Sequence, residues 1–350
     1  MAKREKKETS FELHKLLQLV AAIAIIVGII LVITLVINPM IKYGKATAAL
    51  EQGEYQKAIE LFGQLGKYRD SIECKVQAEM LYSYEQGIDI TDTDTPKTEE
   101  EKETSYLRAK SYISNKKYDK AAAILRNLID YKDSAELLEP YKFFGLSAGD
   151  TLTMGAWEQD NDRANGSEAI SWSVVNVAED HMVLLADDIL ECMPYDENGS
   201  SDWSASTVRA FLNGDFYDKA FTAEEKGVIG KRTTVTEDNP DYKTKSGSEC
   251  KDSVILLSID EYRVYMSKAD SKKAAEASEY AKKRGCHDYV KEKDGEELHG
   301  SWFWLRSAGY ASGYAAICYS DGEVGSGGQL TTAKLGVRPA IIINLVAPEN

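Results

Sequence analysis

The feature that most constrains this chain is a long apolar run near its start, LLQLVAAIAIIVGIILVITLVI, from Leu16 to Ile37. At about 1.5 Å per residue, a helix over this run is roughly 33 Å long, enough to cross a hydrocarbon core of about 30 Å. A cleaved signal peptide, with Ala46 to Ala48 as the cleavage site, is the alternative, but its apolar core would span only about 7 to 15 residues. The run therefore predicts an uncleaved transmembrane helix over residues 16–38.

Basic residues are distributed unequally around this run. Five precede it and two follow it closely: Lys3, Arg4, Lys6, Lys7 and Lys15, then Lys42 and Lys45. Because positive charge tends to stay in the cytoplasm, residues 1–15 are predicted to form a cytoplasmic stub. Everything after Ile37 is then extracellular, on the surface of a single-pass membrane protein.

A repeat follows the apolar run. YQKAIELFGQLGKYRDS (Tyr55 to Ser71) and YDKAAAILRNLIDYKDS (Tyr118 to Ser134) align without a gap, and each predicts an amphipathic helix. The closing Asp70-Ser71 and Asp133-Ser134 are expected to cap the next helix with their side-chain oxygens. The unit resembles degenerate tetratricopeptide-like repeats, which implies either a peptide-binding solenoid or, preferred for so short a stack, a spacer. This stalk is predicted over residues 39–145, with a polar insertion near 88–104.

The remainder, residues 146–350, predicts a separate α+β head with short antiparallel strands and two or more helices. It holds all five tryptophans, and its strand-like runs include AISWSVVNVAEDHMVLLADDIL, SVILLSIDEY, AAICYSDGEV and GVRPAIIINL. Helical patterns occur in residues 203–229 and 271–285. Residues 151–350 carry 21 Lys and Arg against 34 Asp and Glu, a net charge of −13. Nucleic acid is excluded as a partner because phosphates need clustered basic residues.

Six motifs in the head occur in the order found in a bacterial family of domains of unknown function, number 6273. They are Ile170 to Val175, Leu184 to Ala186, Trp203 to Phe216, Leu256 to Ser258, Trp302 to Gly309 (WFWLRSAG) and Gly336 to Ala340 (GVRPA). Ala186 stands where the family usually has Ser, and Phe303-Trp304 replaces a double tryptophan. The head thus resembles this family, which is itself similar to C-type-lectin-like and formylglycine-generating-enzyme-like domains. The resemblance implies a lectin-like fold.

The residues that could carry chemistry argue against an enzyme. WFWLRSAG holds no cysteine pair of the kind that formylglycine-generating oxidation requires, and the chain has no C-x-x-C spacing for zinc or thiol redox chemistry. Cys192, Cys250, Cys286 and Cys318 allow one or two disulfides, although buried free thiols are the preferred interpretation. No recognisable nucleophile or metal partner accompanies any of the four histidines in the sequence, so hydrolysis is not indicated.

Charged and aromatic residues in the motifs divide into two predicted roles. Apolar neighbours indicate that one set is structural: Arg209, Trp302, Trp304, Arg306 and Arg338. Ligand contacts are expected instead on exposed acidic loops, at Asp196, Asn198, Asp202, Asp238 and Asp241. No cofactor is predicted. Calcium stays open because these loops are rich in oxygen ligands, but DNDRANGSE departs from the EF-hand pattern at Ala164.

The sequence therefore predicts a membrane-anchored protein of the bacterial cell surface whose head binds an extracellular ligand without catalysis. The ligand could be a glycan, a peptide or another component of the cell envelope. An enzyme acting on the envelope and a structural assembly protein are the two alternatives.

Overall fold

A computed structural model describes residues 2–88, 95–268, 274–293 and 296–346, with side chains described in these ranges outside 2–15 and 291–298. The chain divides into two compact units, a helical unit (Met1–Lys142) and a head unit (Phe143–Asn350). The head unit is built on largely antiparallel sheets. The predicted combination of a helical N-terminal region and an antiparallel sheet domain is confirmed at this level.

The helical unit begins with helix α1 (Ala2–Val32), which continues through a π-helical turn (Ile33–Ile37) into α2 (Asn38–Glu51). The large apolar side chains between Leu16 and Ile41 are exposed. The Thr34 hydroxyl donates to the carbonyl oxygen of Ile30 at 2.8 Å, so this polar group is satisfied within the helix. By length and composition, Leu16–Glu51 could cross a membrane. The direction of crossing stays a prediction.

Two helical hairpins follow from this start. Helices α2 and α3 form the first and α5 and α6 the second, and the bounds of the further helices are α3 Tyr55–Leu65, α4 Ser71–Gln86, α5 Glu99–Ser114, α6 Tyr118–Arg126 and α7 Ser134–Leu138. A capping box of Thr98 and Glu101 starts α5 within the predicted polar insertion, of which residues 89–94 lie outside the described residues. Small side chains let the helices of a hairpin approach closely: Ala46 and Ala58 are buried in the first, and Ala109 and Ala121 in the second.

A tyrosine–aspartate pair closes each hairpin. The Tyr43 hydroxyl donates to Asp70 at 2.5 Å, and 63 positions later the Tyr106 hydroxyl donates to Asp133 at 2.6 Å. Asp70 and Asp133 do stand at the N-cap positions of α4 and α7, but neither side chain makes a capping hydrogen bond. The expectation that they cap these helices is wrong because each carboxylate accepts the tyrosine hydroxyl instead.

The turn before each of these aspartates is also repeated. Arg69 and Lys132 both have positive φ, 52° and 49°, which is uncommon for residues other than glycine. This conformation places each cation over the tyrosine that donates to the aspartate: Arg69 lies 5.1 Å from the Tyr43 ring centre and Lys132 lies 4.8 Å from that of Tyr106. The repeat is therefore a helical hairpin that begins one helix earlier than the aligned sequence segments.

The head unit contains fourteen strands among the described residues. Their bounds are β1 Thr151–Trp157, β2 Glu168–Val177, β3 His181–Ala186, β4 Glu191–Pro194, β5 Arg232–Thr234, β6 Cys250–Asp252, β7 Val254–Ile255, β8 Tyr289–Lys293, β9 Glu296–Gly300, β10 Phe303–Ala308, β11 Tyr314–Cys318, β12 Val324–Leu330, β13 Lys334–Val337 and β14 Ala340–Asn344. Two five-stranded sheets have the orders β1-β2-β3-β14-β7 and β12-β11-β10-β13-β4, and β5-β6 and β8-β9 form two ribbons. All pairs are antiparallel except β10 and β13, which run parallel.

The chain passes between the two sheets at neighbouring places. Residues 187–190 connect β3 in the first sheet to β4 in the second, and Arg338-Pro339 connects β13 in the second to β14 in the first. These crossings are hydrogen-bonded to each other, because the N–H of Ala186 donates to the Pro339 carbonyl oxygen and the N–H of Leu190 donates to that of Val337. The GVRPA motif is therefore a sheet-to-sheet crossing.

Helices of the head are short: α8 Thr207–Phe211, α9 Tyr217–Ala220, α10 Ala223–Val228, α11 Ile259–Met266 and α12 Glu279–Arg284, with a π-helical turn at Leu212–Phe216. The strand expected over SVILLSIDEY is wrong in its second half. Only Val254–Ile255 is a strand, because Ser258 and Glu261 form a capping box that starts α11. In the pattern over 271–285 the helix begins only at Glu279, and residues 271–273 lie outside the described residues.

Candidate functional site

Arg306 lies in β10 and is 1% exposed. Its guanidinium donates to both oxygens of the Glu261 carboxylate, Nη1 at 2.8 Å and Nη2 at 3.0 Å. The remaining N–H groups donate to the carbonyl oxygens of Leu256 and Val235 and to the hydroxyl of Thr236. Every partner belongs to the protein's own framework, so Arg306 joins β10 to the start of α11 and to the segment that follows β5.

Arg338 occupies the sheet-to-sheet crossing and is 2% exposed. Its Nε donates to the carbonyl oxygen of Ala186 at 2.7 Å, and the guanidinium carbon lies 5.3 Å from the ring centre of Phe303. Burial lowers the pKa of Arg338, while the nearby Tyr262 and Asp187 act in the opposite direction. The residue holds the two crossing segments together.

Arg209 reaches a second buried carboxylate from α8. Its Nε donates to Asp252 at 2.7 Å, and its Nη1 donates to the carbonyl oxygen of Ser204. Asp252 is fully buried and also accepts the indole N–H of Trp203 at 2.9 Å. One carboxylate thus joins two residues of the Trp203 to Phe216 motif to strand β6.

The two tryptophans of the WFWLRS segment differ in position. Trp304 is buried and its indole N–H donates to the carbonyl oxygen of Met193 at 3.0 Å. Trp302 is only half-buried, stacked on Tyr289 with ring centres 5.2 Å apart and edge-on to Tyr319 at 5.1 Å. Trp302 precedes β10 and is packed against the edge of the head core.

Asp196 is buried, so the prediction that it lies on an exposed loop is wrong. It is 1% exposed, and its carboxylate accepts backbone N–H groups of Asn198, Ser200 and Thr207 at 2.8 to 3.2 Å. The reason is local, since a turn of this shape leaves N–H groups that an aspartate can satisfy. The exposed Asn198 belongs to the same turn, and Asp196 itself is occupied by the fold.

Asp202 and Asp238 are partly buried. Asp202 caps the short helical turn at Trp203–Ala205 by accepting the backbone N–H of Ser204 at 2.9 Å. A Cβ atom at Gly247 would come within 1.9 Å of the Asp202 carboxylate, so this glycine makes room for the cap. Asp238 pairs with the exposed Lys245 at 2.6 Å. The carboxylates of Asp202 and Asp238 are therefore both engaged by neighbouring groups of the head itself.

Asp241 is exposed and adjoins a set of aromatic side chains. It accepts a hydrogen bond from Ser326 and pairs with Arg263 at 3.0 Å, and these two contacts, in that order, lower its pKa. Tyr242, the next residue, extends over β12, where its hydroxyl would be 3.4 Å from a Cβ at Gly327. A glycine in β12 thus leaves space for a ring.

Three tyrosines form what we call the tyrosine surface: Tyr242, Tyr310 and Tyr314. Ring centres of Tyr310 and Tyr314 lie 4.4 Å apart and those of Tyr242 and Tyr310 lie 6.3 Å apart. Tyr242 is 53% exposed and Tyr310 is 49% exposed. The Tyr314 hydroxyl raises the pKa of Tyr310 through a hydrogen bond. A group of large rings is therefore exposed at the turn between β10 and β11.

Buried Asn239 fixes the loop that carries Tyr242. Its side-chain nitrogen donates to the carbonyl oxygens of Ala308 at 2.7 Å and Ser326 at 2.8 Å, while its side-chain oxygen accepts the N–H groups of Asp241 and Tyr242. A fully satisfied buried amide orients what it holds. The tyrosine surface is consequently rigid on the side of this loop.

The comparison with protein families bears on this unit. Residues 179–345 match the family model DUF6273, a domain of unknown function. The match confirms the predicted family resemblance for these residues and covers both crossings and the tyrosine surface. Strand β1 and the Ile170 to Val175 motif precede it. No curated protein and no solved structure matches the chain.

One set of carboxylates within the described residues could hold a metal ion. Oxygens of Glu158, Asp160 and Glu168 lie within 4.8 Å of one another. Burial, and then the neighbouring carboxylates, raise the pKa of Glu158. Asp160 and Glu168 also accept hydrogen bonds from backbone N–H groups of their own loop. Exposed acidic groups often cluster without an ion, and this set is distant in sequence from the acidic-loop candidates.

Cysteine thiols in the head are poorly suited to nucleophilic attack. Burial and the hydrogen bond to Asp252 raise the pKa of Cys250 to about 11, and burial raises that of Cys318 to about 12. The thiolate is the reactive form. Two histidines pair with aspartates, His181 with Asp180 and His299 with Asp288, and each of these pairs lies at a strand end.

Sequence reasoning did not single out the tyrosine surface or Asn239. The available signal was the spacing of Tyr310 and Tyr314 within GYASGYAA, where two rings flank a tight, glycine-containing turn and must emerge close together. The position of Tyr242 carried no such signal. Its loop meets β12 only because Asn239 bridges segments about 70 to 90 residues apart in the chain.

Proposed function

We propose that the protein is a single-pass membrane protein of the bacterial cell surface whose head binds an extracellular glycan non-catalytically through the tyrosine surface. The observation that carries this proposal is the exposure of Tyr242 and Tyr310 beside Tyr314, with the Tyr242 loop held by the buried Asn239. Large exposed rings are costly to leave in water and are typical of binding surfaces.

A binding role is favoured over catalysis by how the charged groups are used. Arg209, Arg306 and Arg338 are engaged with the protein's own carboxylates and carbonyl oxygens. At the tyrosine surface, the groups exposed to solvent are aromatic rings, and the Asp241–Arg263 ion pair forms a polar rim beside them. Such a surface supplies stacking and hydrogen bonds but no activated nucleophile.

A neutral glycan is the ligand class that this chemistry favours. Sugar rings present C–H faces that stack on tyrosine, and their hydroxyls can donate to Asp241 and accept from Arg263. The net charge of −13 over residues 151–350 opposes anionic polymers. The lectin-like relationship implied by the family resemblance agrees with this choice and belongs to the same proposal.

The remaining parts of the chain receive supporting roles. We propose that the basic residues before Leu16 keep the N-terminus in the cytoplasm, so that the head is outside. The tetratricopeptide-like hairpins act as a spacer, since two of them offer little concave surface. An envelope-acting enzyme and a structural assembly protein are the alternatives, and the binding experiment below addresses both.

The test uses the full chain in detergent on an array of glycans and peptidoglycan fragments. Wild type is compared with Tyr310→Ala and Tyr242→Ala, and the matched control is Tyr84→Ala, which removes a tyrosine that is 83% exposed in the helical unit. Each head variant should weaken binding at least about tenfold, as loss of a central aromatic contact does, with the melting temperature of the head unchanged.

Three outcomes would contradict this proposal. Retention of a bound glycan at wild-type affinity by both head variants would place binding elsewhere on the head. Chemical change of the bound fragments on incubation with wild type would favour the enzyme. Self-association in place of glycan capture, lost in Tyr310→Ala, would favour the assembly protein.

A further inference from the structure

Two buried thiols from distant parts of the chain meet in the head. Cys192 lies in β4, paired with Gly336 of β13, and is 1% exposed. Cys286 directly follows α12 and is also buried, with its Sγ 3.9 Å from the carbonyl oxygen of Glu191. Interaction with the Cys192 side chain is the largest cause of the raised pKa of the Cys286 thiol. Two cysteines almost a hundred positions apart are therefore neighbours in the folded head.

Neighbouring contacts hold this arrangement in place. Arg284, two residues before Cys286, forms an ion pair with Glu191, the residue before Cys192. The Glu191 carboxylate also accepts the backbone N–H of Cys192 at 2.8 Å. The ion pair thereby fixes the end of α12 against β4 next to the two cysteines, which favours a bond between them.

The other cysteines contact oxygen atoms. Cys250 Sγ lies 3.2 Å from Asp252, and Cys318 Sγ lies 3.1 Å from the Tyr262 hydroxyl. Cys74 belongs to the helical unit, where it adjoins Tyr43 and Asp70. Only one thiol–thiol contact therefore emerges from the five cysteines, all of which are among the described residues.

We propose that Cys192 and Cys286 are a disulfide site, joined when the head folds in an oxidising compartment and closing the loop of residues 192–286. This inference rests on the proposed extracellular position of the head. The oxidant is a disulfide compound, small molecule or protein. One thiolate attacks it to form a mixed disulfide, and the second displaces the mixed partner, so two protons and two electrons leave the cysteines and the oxidant becomes two thiols.

The order of folding and oxidation follows from the surroundings of the pair. Contact with Cys192, and then burial, raise the pKa of the Cys286 thiol in the folded head. Since only the thiolate attacks a disulfide, the folded, reduced head should resist oxidation. The bond should form during folding, while both thiols are accessible.

The first experiment refolds the full chain in detergent from the denatured, reduced state with a mixture of oxidised and reduced glutathione. Free thiols are then alkylated and the peptides mapped by mass spectrometry. The expected product links Cys192 to Cys286 and leaves Cys74, Cys250 and Cys318 alkylated. Oxidation should raise the melting temperature of the head by roughly 5 to 10 °C, in line with a disulfide that closes a loop of this length.

Two cysteine variants distinguish a specific Cys192–Cys286 disulfide from non-specific oxidation of the cysteines. Cys286→Ala should abolish the linked peptide and the rise in melting temperature, whereas the matched control Cys250→Ala should keep both. Because Cys286→Ala could also impair folding, the reduced wild type and Cys286→Ala are compared directly, and we expect similar melting temperatures. Random linkage among the cysteines, or an unchanged melting temperature on oxidation, would overturn the proposal.

The second experiment separates this inference from the orientation on which it rests. Membrane protein from its native cells is mapped in the same way, and intact cells are treated with protease. A linked pair on a protease-accessible head supports both proposals. Free thiols on a protease-accessible head overturn the disulfide and leave the orientation standing. A protected head with free thiols, together with a linked refolded product, overturns the orientation and supports the site.

Discussion

The helical unit and the head unit use charged and aromatic residues in opposite ways. In the helical unit the partners of each tyrosine–aspartate pair are 27 residues apart, and the same pair recurs in the second hairpin. In the head, Arg306 reaches Glu261 across 45 residues and Arg338 reaches Ala186 across 152. Local contacts stabilise one hairpin at a time, whereas contacts of long sequence separation tie the stability of one sheet to that of the other.

Burial increases the energetic difference between the contacts of the two units. The aspartates of the helical unit face solvent, where water can replace a lost partner. The guanidinium groups of Arg306 and Arg338 lie inside the head, where a partner that is removed leaves a polar group without water. Equivalent substitutions should therefore cost much more in the head than in the helical unit, and three measurements test this expectation.

The largest effect is expected for Arg306→Ala. It leaves the Glu261 carboxylate and two carbonyl oxygens without their donor, which should cost about 3 kcal/mol of the free energy of unfolding of the head. This value lies at the lower end for buried pairs because the Glu261 side chain keeps 30% exposure. Chemical denaturation of the full chain, followed by tryptophan fluorescence, measures the head because all five tryptophans lie there.

The matched control for this substitution is Arg263→Ala. Arg263 lies in α11, two residues from Glu261, and pairs with Asp241 at the surface, so its loss should cost less than about 1 kcal/mol. Equal destabilisation by Arg306→Ala and Arg263→Ala would show that burial does not set the cost of losing a charged partner in the head.

A substantial effect is also expected at Arg338, whose guanidinium contacts the Ala186 carbonyl oxygen and the Phe303 ring at the sheet-to-sheet crossing. Arg338→Ala should cost about 2 kcal/mol, because it leaves a cavity at the crossing and removes the donor to the Ala186 carbonyl oxygen. Arg338→Met fills most of the space without the charge and should recover about half of this loss. If Met is as destabilising as Ala in equilibrium unfolding, the charge itself contributes the stability.

The two units also differ in how far the sequence predicts them. The hairpin repeat can be recognised in YQKAIELFGQLGKYRDS and YDKAAAILRNLIDYKDS because the contacts that stabilise each hairpin are between residues close in sequence. The first helix of each hairpin, α2 or α5, could not be recognised as part of the repeat, because KYGKATAAL and SYLRAKSYI share little beyond the tyrosine and an alanine. Only the hydrogen bonds of Tyr43 and Tyr106 show that they are equivalent.

In the head, the sequence motifs predicted buried residues better than exposed ones. Apolar flanks indicated that Arg306 is buried, but they could not identify Glu261 as its partner, because that pairing depends on how α11 meets β10. Asp196 illustrates the opposite failure. A polar, glycine-containing segment predicted exposure, whereas the carboxylate is buried by the backbone N–H groups of its own turn. The tyrosine surface likewise depends on contacts between segments distant in sequence.

The smallest effect is expected in the helical unit. Tyr106→Phe removes the hydrogen bond to Asp133, which is open to solvent on the aspartate side, so the second hairpin should lose about 1 kcal/mol or less. Amide hydrogen exchange of the full chain near neutral pH measures this loss within α6 and α7, and the head should be unaffected. A head destabilised by the same substitution would mean that the helical unit does not unfold independently.

The pH dependence of that difference identifies its cause. The hydrogen bond to Asp133, followed by burial, raises the pKa of Tyr106 to about 12, above the value of about 10 expected in the unfolded chain. A group whose pKa is raised on folding stabilises the protein fully below its unfolded pKa and loses this effect as the pH rises through the folded pKa. The free energy of unfolding, followed by the loss of helicity on denaturation, should therefore differ between wild type and Tyr106→Phe by a constant amount below pH 10. This difference should vanish as the pH approaches 12.

A difference that persists at that pH would show that the phenylalanine variant loses packing rather than the hydrogen bond. The tyrosine–aspartate pair would then be a consequence of the hairpin and not one of the contacts that stabilise it.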